Sequence, residues 1–310
     1  MSLWATYREA RRAAKEHKTW EMKQEVEANR TPNHLRIDVS PTAISVATVA
    51  MNAFRFVHAY PADGYESSLS KATHEIAASQ FLKPGFSAVF TLWPEMVKHD
   101  IIPVGSDQLF SSAKAIDLKM QSSPESLHLD ANYAYRVIGV SKLKADCVGI
   151  KLGAWRGIQD ALPLGVDAAC YWGPLAALEA LVERFHSIFA DEQIVVGMID
   201  AARVYYFKLY NAEVTGVDIS RRAALRDTKD LKDVLRVFEA LPETKIYFIS
   251  LTSDAADADA LCMEASTKEG MRMHLVERKH LVQSFKMLQA AEPSPFFPLA
   301  LVHGGKHGEF

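Results

Sequence analysis

The sequence predicts a mixed α/β protein, with a mainly helical N-terminal half followed by a three-layer α/β half built on a mostly parallel sheet. Two observations carry this prediction. Long helical patterns interrupted by prolines fill the first 125 residues, whereas short apolar runs alternate with helical stretches from residue 193 onward. Because 49% of the residues are apolar, the 310-residue chain can bury a substantial core.

Residues 1–40 are predicted to form an N-terminal helical arm. Residues 2–29 are rich in Ala, Arg, Lys and Glu and contain no Gly or Pro, and Pro32 ends the pattern. The apolar positions are too sparse for a full core-facing stripe. The aromatic side chains of the arm either dock on a partner or pack on the protein's own body, and both interpretations stay open: Trp4, Tyr7 and Trp20.

Residues 41–128 are predicted to form a helical region. The stretch "PTAISVATVAMNAFRFVHAY" is apolar nearly all round and too long for one strand, so it is interpreted as a buried helix with Ser40 as N-cap. A second helix is expected from about Glu66 to Leu82. Shorter helical pieces follow, broken by Pro94 and Pro103.

Residues 129–310 are predicted to form the α/β region. Residues 133–140 and 147–152 are short runs rich in β-branched and aromatic residues, which favours two strands. A Gly- and Pro-containing segment at residues 153–173 is the alternative domain boundary. It leads into a helix predicted from Pro174 to Phe189.

The clearest alternation of predicted strands and helices begins at residue 193. Strands are predicted in "QIVVGMID", "EVTGVDIS", "KIYFISL" and "MRMHLVE", with helices in "AARVYYFKLYN", "TKDLKDVLRVFEAL", "DAADADALCMEASTKEG" and "KHLVQSFKMLQAA". Strands separated by helices of this length imply right-handed parallel crossovers.

Composition excludes several classes of function. The net charge of -3 gives no global field for a polyanion, so nucleic-acid binding is not supported. Three isolated cysteines argue against a disulfide framework and a zinc site. The sequence shows neither the apolar region of a signal peptide nor an apolar run long enough for a membrane span. We therefore expect a cytoplasmic location, or one within an assembled particle such as a virion of intracellular origin.

Two aspartates follow predicted strands at the edge where open parallel sheets bind ligands. Asp200 closes "QIVVGMID", and Asp254 follows "KIYFISLTS". Carboxylates that converge there can hold Mg²⁺ or Mn²⁺, and such a metal can activate water for phosphodiester cleavage. Asp218 and Asp227 could join them from the intervening segment.

At these residues the order of elements resembles the PIN-like ribonuclease family, particularly its NYN branch. The resemblance rests on "VVGMID", "VDISRRAALRD" and "FISLTSDAADADAL", and covers residues 193 to 276. It implies that Asp200, Asp218, Asp227 and Asp254 carry a metal. The family's Asn after the first Asp is absent, since Asp200 is followed by "AARVYY".

Helix capping explains the same aspartates without a metal. Ser253 or Asp254 is an ordinary N-cap, and acidic residues in the next turn complement the helix dipole. The basic cluster of Arg221, Arg222 and Arg226 is interleaved with acidic residues, which favours a solvated or interface face over a phosphate cradle. Phosphate-loop, GxGxxG, HExxH and GxSxG motifs are missing from the sequence.

The sequence thus predicts a structural subunit of a large assembly, such as a viral or phage shell, without catalysis or cofactor of its own. The expected partners are other protein subunits, with self-association through aromatic residues at both ends of the chain: Trp4, Tyr7, Trp20, Phe296 and Phe297. The alternative is a metal-dependent PIN/NYN-like nuclease that uses Asp200 and Asp254.

Overall fold

A computed structural model describes the following residues: 34–39, 43–50, 53–61, 87–92, 97–103, 116, 127, 129–140, 144–190, 193–200, 203–222, 228–250 and 256–276. Within them, strands form three sheets and helices pack on the sheets. The mixed α/β class is therefore confirmed. The boundaries proposed near residues 40, 128 and 153–173 stay predictions.

The first five-stranded sheet, called the N-terminal sheet, has the order β3-β2-β1-β4-β8. The first three strands pair antiparallel, while β1, β4 and β8 run parallel. The strands are β1 (His34–Val39), β2 (Ala43–Ala50), β3 (Ala53–Pro61), β4 (Ser87–Leu92) and β8 (Asp167–Trp172).

The last five-stranded sheet, called the C-terminal sheet, repeats this plan with the order β11-β10-β9-β12-β13. Here too a three-stranded antiparallel meander is extended by two parallel strands. The strands are β9 (Ile194–Ile199), β10 (Arg203–Tyr210), β11 (Glu213–Arg221), β12 (Lys245–Ser250) and β13 (Arg272–Val276). The two sheets thus share one topology.

A third sheet, called the inserted sheet, lies between β4 and β8 in the sequence. Its order is β5-β7-β6, and all its pairs are antiparallel. The strands are β5 (Val97–Pro103), β6 (Tyr133–Val140) and β7 (Lys144–Lys151). The two runs predicted as strands at residues 133–140 and 147–152 correspond to the β6–β7 hairpin.

Five helices occur in the described residues: α1 (Leu152–Ala161), α2 (Gly173–Arg184), α3 (His186–Phe189), α4 (Thr228–Val237) and α5 (Ala256–Glu269). Helix α2 packs on one face of the C-terminal sheet, where Leu178 and Leu181 join the cluster of Met198 and Phe207. Helices α4 and α5 cover the other face. Helical layers therefore lie on both faces of this sheet.

Three helix predictions are wrong. Residues 43–50 and 53–61, interpreted as part of one buried helix, form strands β2 and β3. The shorter helical piece expected before Pro103 contributes to strands β4 and β5, and "RVYYFKLY" is strand β10. The sequences of β2 and β10 are apolar at most positions, and periodicity alone does not separate such a strand from a buried helix. Because the helix expected after β9 is an antiparallel strand, the C-terminal sheet is mixed rather than mostly parallel.

The helical N-terminal half is not confirmed. Residues 1–33 lie outside the described residues, and so does the helix expected from Glu66 to Leu82. The described part of residues 34–128 is dominated by strands β1 to β5. Among the described helices, none combines the length and apolar character that a membrane span requires.

Cys147, Cys170 and Cys262 are buried and form no disulfide with one another. Burial raises the pKa of Cys170 well above its usual value. Burial, together with the nearby Asp259 carboxylate, raises the pKa of Cys262 to about 12. Since the thiolate is the reactive form, both groups are held as neutral thiols at pH 8.

We expect the native protein to react with Ellman's reagent at pH 8 at least about 100-fold more slowly than the same protein in 6 M guanidinium chloride. The release of thionitrobenzoate at 412 nm measures both rates, and N-acetylcysteine in each solvent corrects for the denaturant. Rapid reaction of even one thiol in the native protein would contradict the burial of that cysteine.

Candidate functional site

The candidate site lies where the carboxyl edges of the two five-stranded sheets approach each other. In the N-terminal sheet, Val39, Leu92 and Trp172 stand in one register row at the ends of β1, β4 and β8. In the C-terminal sheet, β9 and β12 end together at Ile199 and Ser250. Ligands of open sheets bind beyond such carboxyl ends.

Trp172 connects the two edges. Its indole ring packs against Tyr205 with a centroid distance of 5.9 Å, in an edge-to-face arrangement, and against Phe207 at 5.7 Å. Both partners belong to β10 of the C-terminal sheet, and the Trp172 side chain is only 1% exposed. The end of β8 is therefore buried against the face of the other sheet.

The Trp172 indole N–H carries a polar group into this junction. Among the described residues, Trp172 Nε1 has no hydrogen-bond partner. A buried donor of this kind is uncommon in folded proteins and costs free energy when unpaired. This donor is therefore available at the junction between the sheets.

Asp200 organises the turn between β9 and β10. Its Oδ1 accepts a hydrogen bond from the Arg203 backbone N–H at 2.6 Å, and its Oδ2 accepts one from the Tyr205 hydroxyl at 2.7 Å. The Asp200 N–H donates to the Arg203 carbonyl at 3.0 Å. Both carboxylate oxygens thus stabilise the turn and orient Tyr205 beside Trp172.

Three arginines surround this turn. Arg222 donates from Nη1 to the Asp200 carbonyl oxygen at 3.2 Å. Arg203 and Arg221 are cross-strand partners on β10 and β11. In the described residues, the guanidinium groups of Arg203 and Arg221 form no ion pair. The edge beside Asp200 is consequently rich in positive charge and N–H donors.

Asp218 does not join Asp200. It stands opposite Tyr206 in the β10–β11 ladder, whereas Asp200 binds the neighbouring Tyr205. Successive residues of a strand point to opposite faces, so Tyr205 and Tyr206 separate the two carboxylates. Burial raises the pKa of Tyr206, and the Asp218 charge contributes to the same shift.

The other predicted site residues lie outside the described part of the chain: Asp227, Asp254, Trp4, Tyr7, Trp20, Phe296 and Phe297. Within the described residues, no group of three or more His, Cys, Asp or Glu side chains is arranged to hold a metal ion. The convergence of Asp200 and Asp254 therefore stays a prediction.

Sequence reasoning missed Trp172, Tyr205 and Arg203 as members of one site. The available signal was the alternation in "RVYYFKLY": taken as a strand, it places Arg203, Tyr205 and Phe207 on one face. On a helix, the side chains of the same three residues would point in different directions. Arg221 and Arg222 were recognised as a basic cluster, but their neighbours in space were not.

Comparison with solved structures defines the class of fold. The chain is similar to the PilM-PilN type IV pilus biogenesis complex, with a TM-score of 0.56 and 15% identity over 88% of this chain and 99% of that one. It is also similar to a Bacteroides thetaiotaomicron protein with actin-like ATPase fold and unknown function, with a TM-score of 0.51 and 12% identity over 83% of this chain and 96% of that one.

The chain therefore has an actin-like ATPase fold. No protein-family model matches the sequence, and no curated protein matches it. At these identities, the structural similarity establishes the fold alone.

This fold overturns both predicted functions. A viral or phage shell subunit is wrong, because the chain has the actin-like ATPase fold. The PIN/NYN-like nuclease is wrong as well. Its resemblance required a helix after the strand that ends before Asp200, and the chain instead forms the antiparallel β9–β10–β11 meander.

Proposed function

We propose that the protein binds a nucleotide of the ATP class at the junction of its two five-stranded sheets, with the phosphates against the β9–β10 turn. The observation that carries the proposal is the cluster of Arg203, Arg221 and Arg222 around this turn. Guanidinium groups bind phosphate oxygens through paired charge-assisted hydrogen bonds.

The similar Bacteroides thetaiotaomicron structure supports the choice of ligand, since its printed description is an actin-like ATPase fold. In this sequence, Ala201 and Ala202 separate Asp200 from Arg203, so the turn lacks the glycines that let a backbone approach phosphates closely. We therefore assign phosphate binding to the arginine side chains. Asp200 has a positioning role, because both its oxygens are engaged in the turn.

The test is isothermal titration calorimetry of the purified full chain with ATP, ADP, inorganic triphosphate and adenosine. We expect ATP and ADP to bind, with an affinity that falls as salt rises. Replacing Arg221→Gln or Arg203→Gln should weaken ATP binding at least about tenfold each, since a hydrogen bond to a charged group contributes about 1.5–3 kcal/mol.

Arg236→Gln is the matched control for this titration. Arg236 lies on α4, is mostly exposed and pairs with Asp233 at 3.0 Å, away from the turn. Its replacement should leave ATP binding unchanged. Equal ATP affinity in the wild-type, Arg221→Gln and Arg203→Gln proteins would refute the proposal, as would no heat of binding with 1 mM ATP or ADP. Equal binding of triphosphate and ATP would identify a phosphate site without base recognition.

The proposal extends to association with other protein subunits in the cytoplasm. The solved PilM-PilN structure is a complex of two proteins. The three cysteines form no disulfide with one another, which agrees with a reducing compartment. Self-association and binding to a different protein are the two forms that this association could take, and sedimentation velocity of the purified chain at micromolar concentration separates them.

A further inference from the structure

The β9–β10 turn presents both kinds of group that can neutralise phosphates in a protein. A carboxylate can hold a divalent cation, and guanidinium groups can bind the phosphate oxygens directly. The groups at the turn are the Asp200 carboxylate and the guanidinium groups of Arg203, Arg221 and Arg222. Their arrangement indicates which of the two kinds accompanies the phosphates.

Asp200 has both carboxylate oxygens engaged inside the turn. Oδ1 accepts a hydrogen bond from the Arg203 backbone N–H at 2.6 Å, and Oδ2 accepts one from the Tyr205 hydroxyl at 2.7 Å. Tyr205 is fully buried among other core side chains, so packing holds its hydroxyl against Oδ2. Both donors direct positive hydrogen atoms at the carboxylate, which reduces the negative charge that it offers to a metal ion.

The described part of the chain supplies no second carboxylate to this turn. Asp218 lies on the opposite face of the sheet, together with its cross-strand partner Tyr206. Within the described residues, no three His, Cys, Asp or Glu side chains are grouped to hold a metal ion. Asp227 and Asp254, which were predicted to share a metal with Asp200, lie outside the described residues. The experiment below therefore tests that predicted metal directly.

Positive charge is concentrated at the same turn. Arg203 and Arg221 stand directly opposite each other on β10 and β11, where like charges repel and destabilise the pair of strands. In the described residues neither guanidinium group forms an ion pair. Arg222 is adjacent, with Nη1 3.2 Å from the Asp200 carbonyl oxygen. An anion relieves the repulsion among these groups, whereas a divalent cation increases it.

The opposed arginines face the junction between the two five-stranded sheets. Side chains alternate along a strand, so Arg203 shares one face of β10 with Tyr205 and Phe207. The rings of both aromatic residues contact Trp172 at the end of β8. Arg221 lies on the same face and is exposed, while Arg203 is partly buried. The positive charge is thus accessible on the side where the nucleotide is proposed to bind.

We infer that this turn binds the nucleotide phosphates as the metal-free anion, so that Mg²⁺ competes with the protein for ATP. The inference rests on the proposed nucleotide site and specifies the form of its ligand. Mg²⁺ bound to ATP cancels part of the phosphate charge and occupies oxygens that would otherwise accept hydrogen bonds from the guanidinium groups. The arginines then bind the same nucleotide less tightly.

Isothermal titration calorimetry of the full chain with ATP, in EDTA and again with MgCl₂ in excess over ATP, tests this inference. Sodium chloride keeps the ionic strength equal, because screening by itself weakens the attraction between exposed charges. We expect ATP to bind at least about fivefold more tightly in EDTA. In Arg221→Gln the ratio of the two affinities should fall toward one, because a charge that favours the metal-free form is lost.

Arg236→Gln is the matched control, since it removes the same charge from the exposed surface of α4, away from the turn. It should keep the wild-type ratio of affinities. Metal binding is measured directly with Mn²⁺, whose electron paramagnetic resonance signal in solution decreases when the ion binds a protein. We expect the wild-type protein and Asp200→Asn to leave the same Mn²⁺ signal.

Equal or tighter ATP binding in MgCl₂ would overturn the inference and leave the proposed nucleotide site in place. An unchanged ratio of affinities in Arg221→Gln would also overturn it. A Mn²⁺ signal that the wild-type protein lowers and Asp200→Asn restores would place a metal on Asp200, with the same consequence. Absence of ATP binding in both media would instead refute the proposed function itself, and this inference with it.

Discussion

Replacing Trp172 with alanine is expected to lower the free energy of unfolding by about 3–5 kcal/mol, the usual cost of removing a large aromatic side chain from a core. The indole ring is 1% exposed and contacts both Tyr205 and Phe207. Its loss would leave a cavity between the two sheets. Urea denaturation followed by circular dichroism at 222 nm measures the change.

Trp172→Phe and Leu164→Ala provide the controls. Phenylalanine keeps one aromatic ring and removes the rest of the indole, including the N–H that has no partner in the described residues, so its cost should be clearly smaller than that of alanine. Leu164 is 95% exposed, and its replacement should change stability by less than about 0.5 kcal/mol. A cost below about 1 kcal/mol for Trp172→Ala would contradict the contact between the sheets.

Asp146→Ala should lower the free energy of unfolding by about 3 kcal/mol. The Asp146 side chain is fully buried and receives hydrogen bonds from His99 and from the Val217 backbone. Its removal leaves the β11 N–H and the His99 ring without their acceptor in a buried site. Urea denaturation at pH 7 gives the difference.

An exposed carboxylate supplies the comparison for Asp146. Asp233 pairs with Arg236 on the surface of α4, and Asp233→Ala should cost less than about 1 kcal/mol, as is usual for exposed ion pairs. Asp146→Asn, which keeps one carbonyl acceptor, should fall between the two. If Asp146→Ala were as mild as Asp233→Ala, Asp146 would not join the sheets as described.

The local sequence pattern was sufficient to predict some of the strands and helices. The strands at residues 133–140, 144–151 and 245–250 are short and bounded by turn residues, and most of their apolar residues are β-branched or aromatic, so their type follows from composition and spacing. Helices α4 and α5 are predictable in the same way, because the sequence of α4 is amphipathic and that of α5 is rich in alanine. The sequence of each of these elements is enough by itself to identify it as a strand or a helix.

Strands β1 to β5, β8 and β10 could not be derived from such windows. In β10, the side chains from Val204 to Phe207 are buried on both faces, so no polar alternation marks a strand. The repeated sheet order depends on contacts between residues far apart in the chain, such as the pairing of β9 with β12. The hydrophobic periodicity of the sequence does not show which strands pair with one another.

The candidate site was only partly predictable for the same reason. Asp200 was recognised from its place after an apolar strand, and the structure confirms that it directly follows β9. Its chemical environment depends on the β9–β10 turn, which places the Tyr205 hydroxyl and the Arg203 N–H on its two oxygens. That turn could not be predicted from the sequence as long as β10 was interpreted as a helix.

The direct junction of β8 and α2 restricts how the molecule can change shape. Strand β8 ends at Trp172, and α2 begins at Gly173, with no residue between them. The strand belongs to one five-stranded sheet, whereas the helix packs on the other. The chain therefore passes from one sheet to the helical cover of the other within a single peptide bond, so the buried Trp172–Gly173 step couples the two sheets directly.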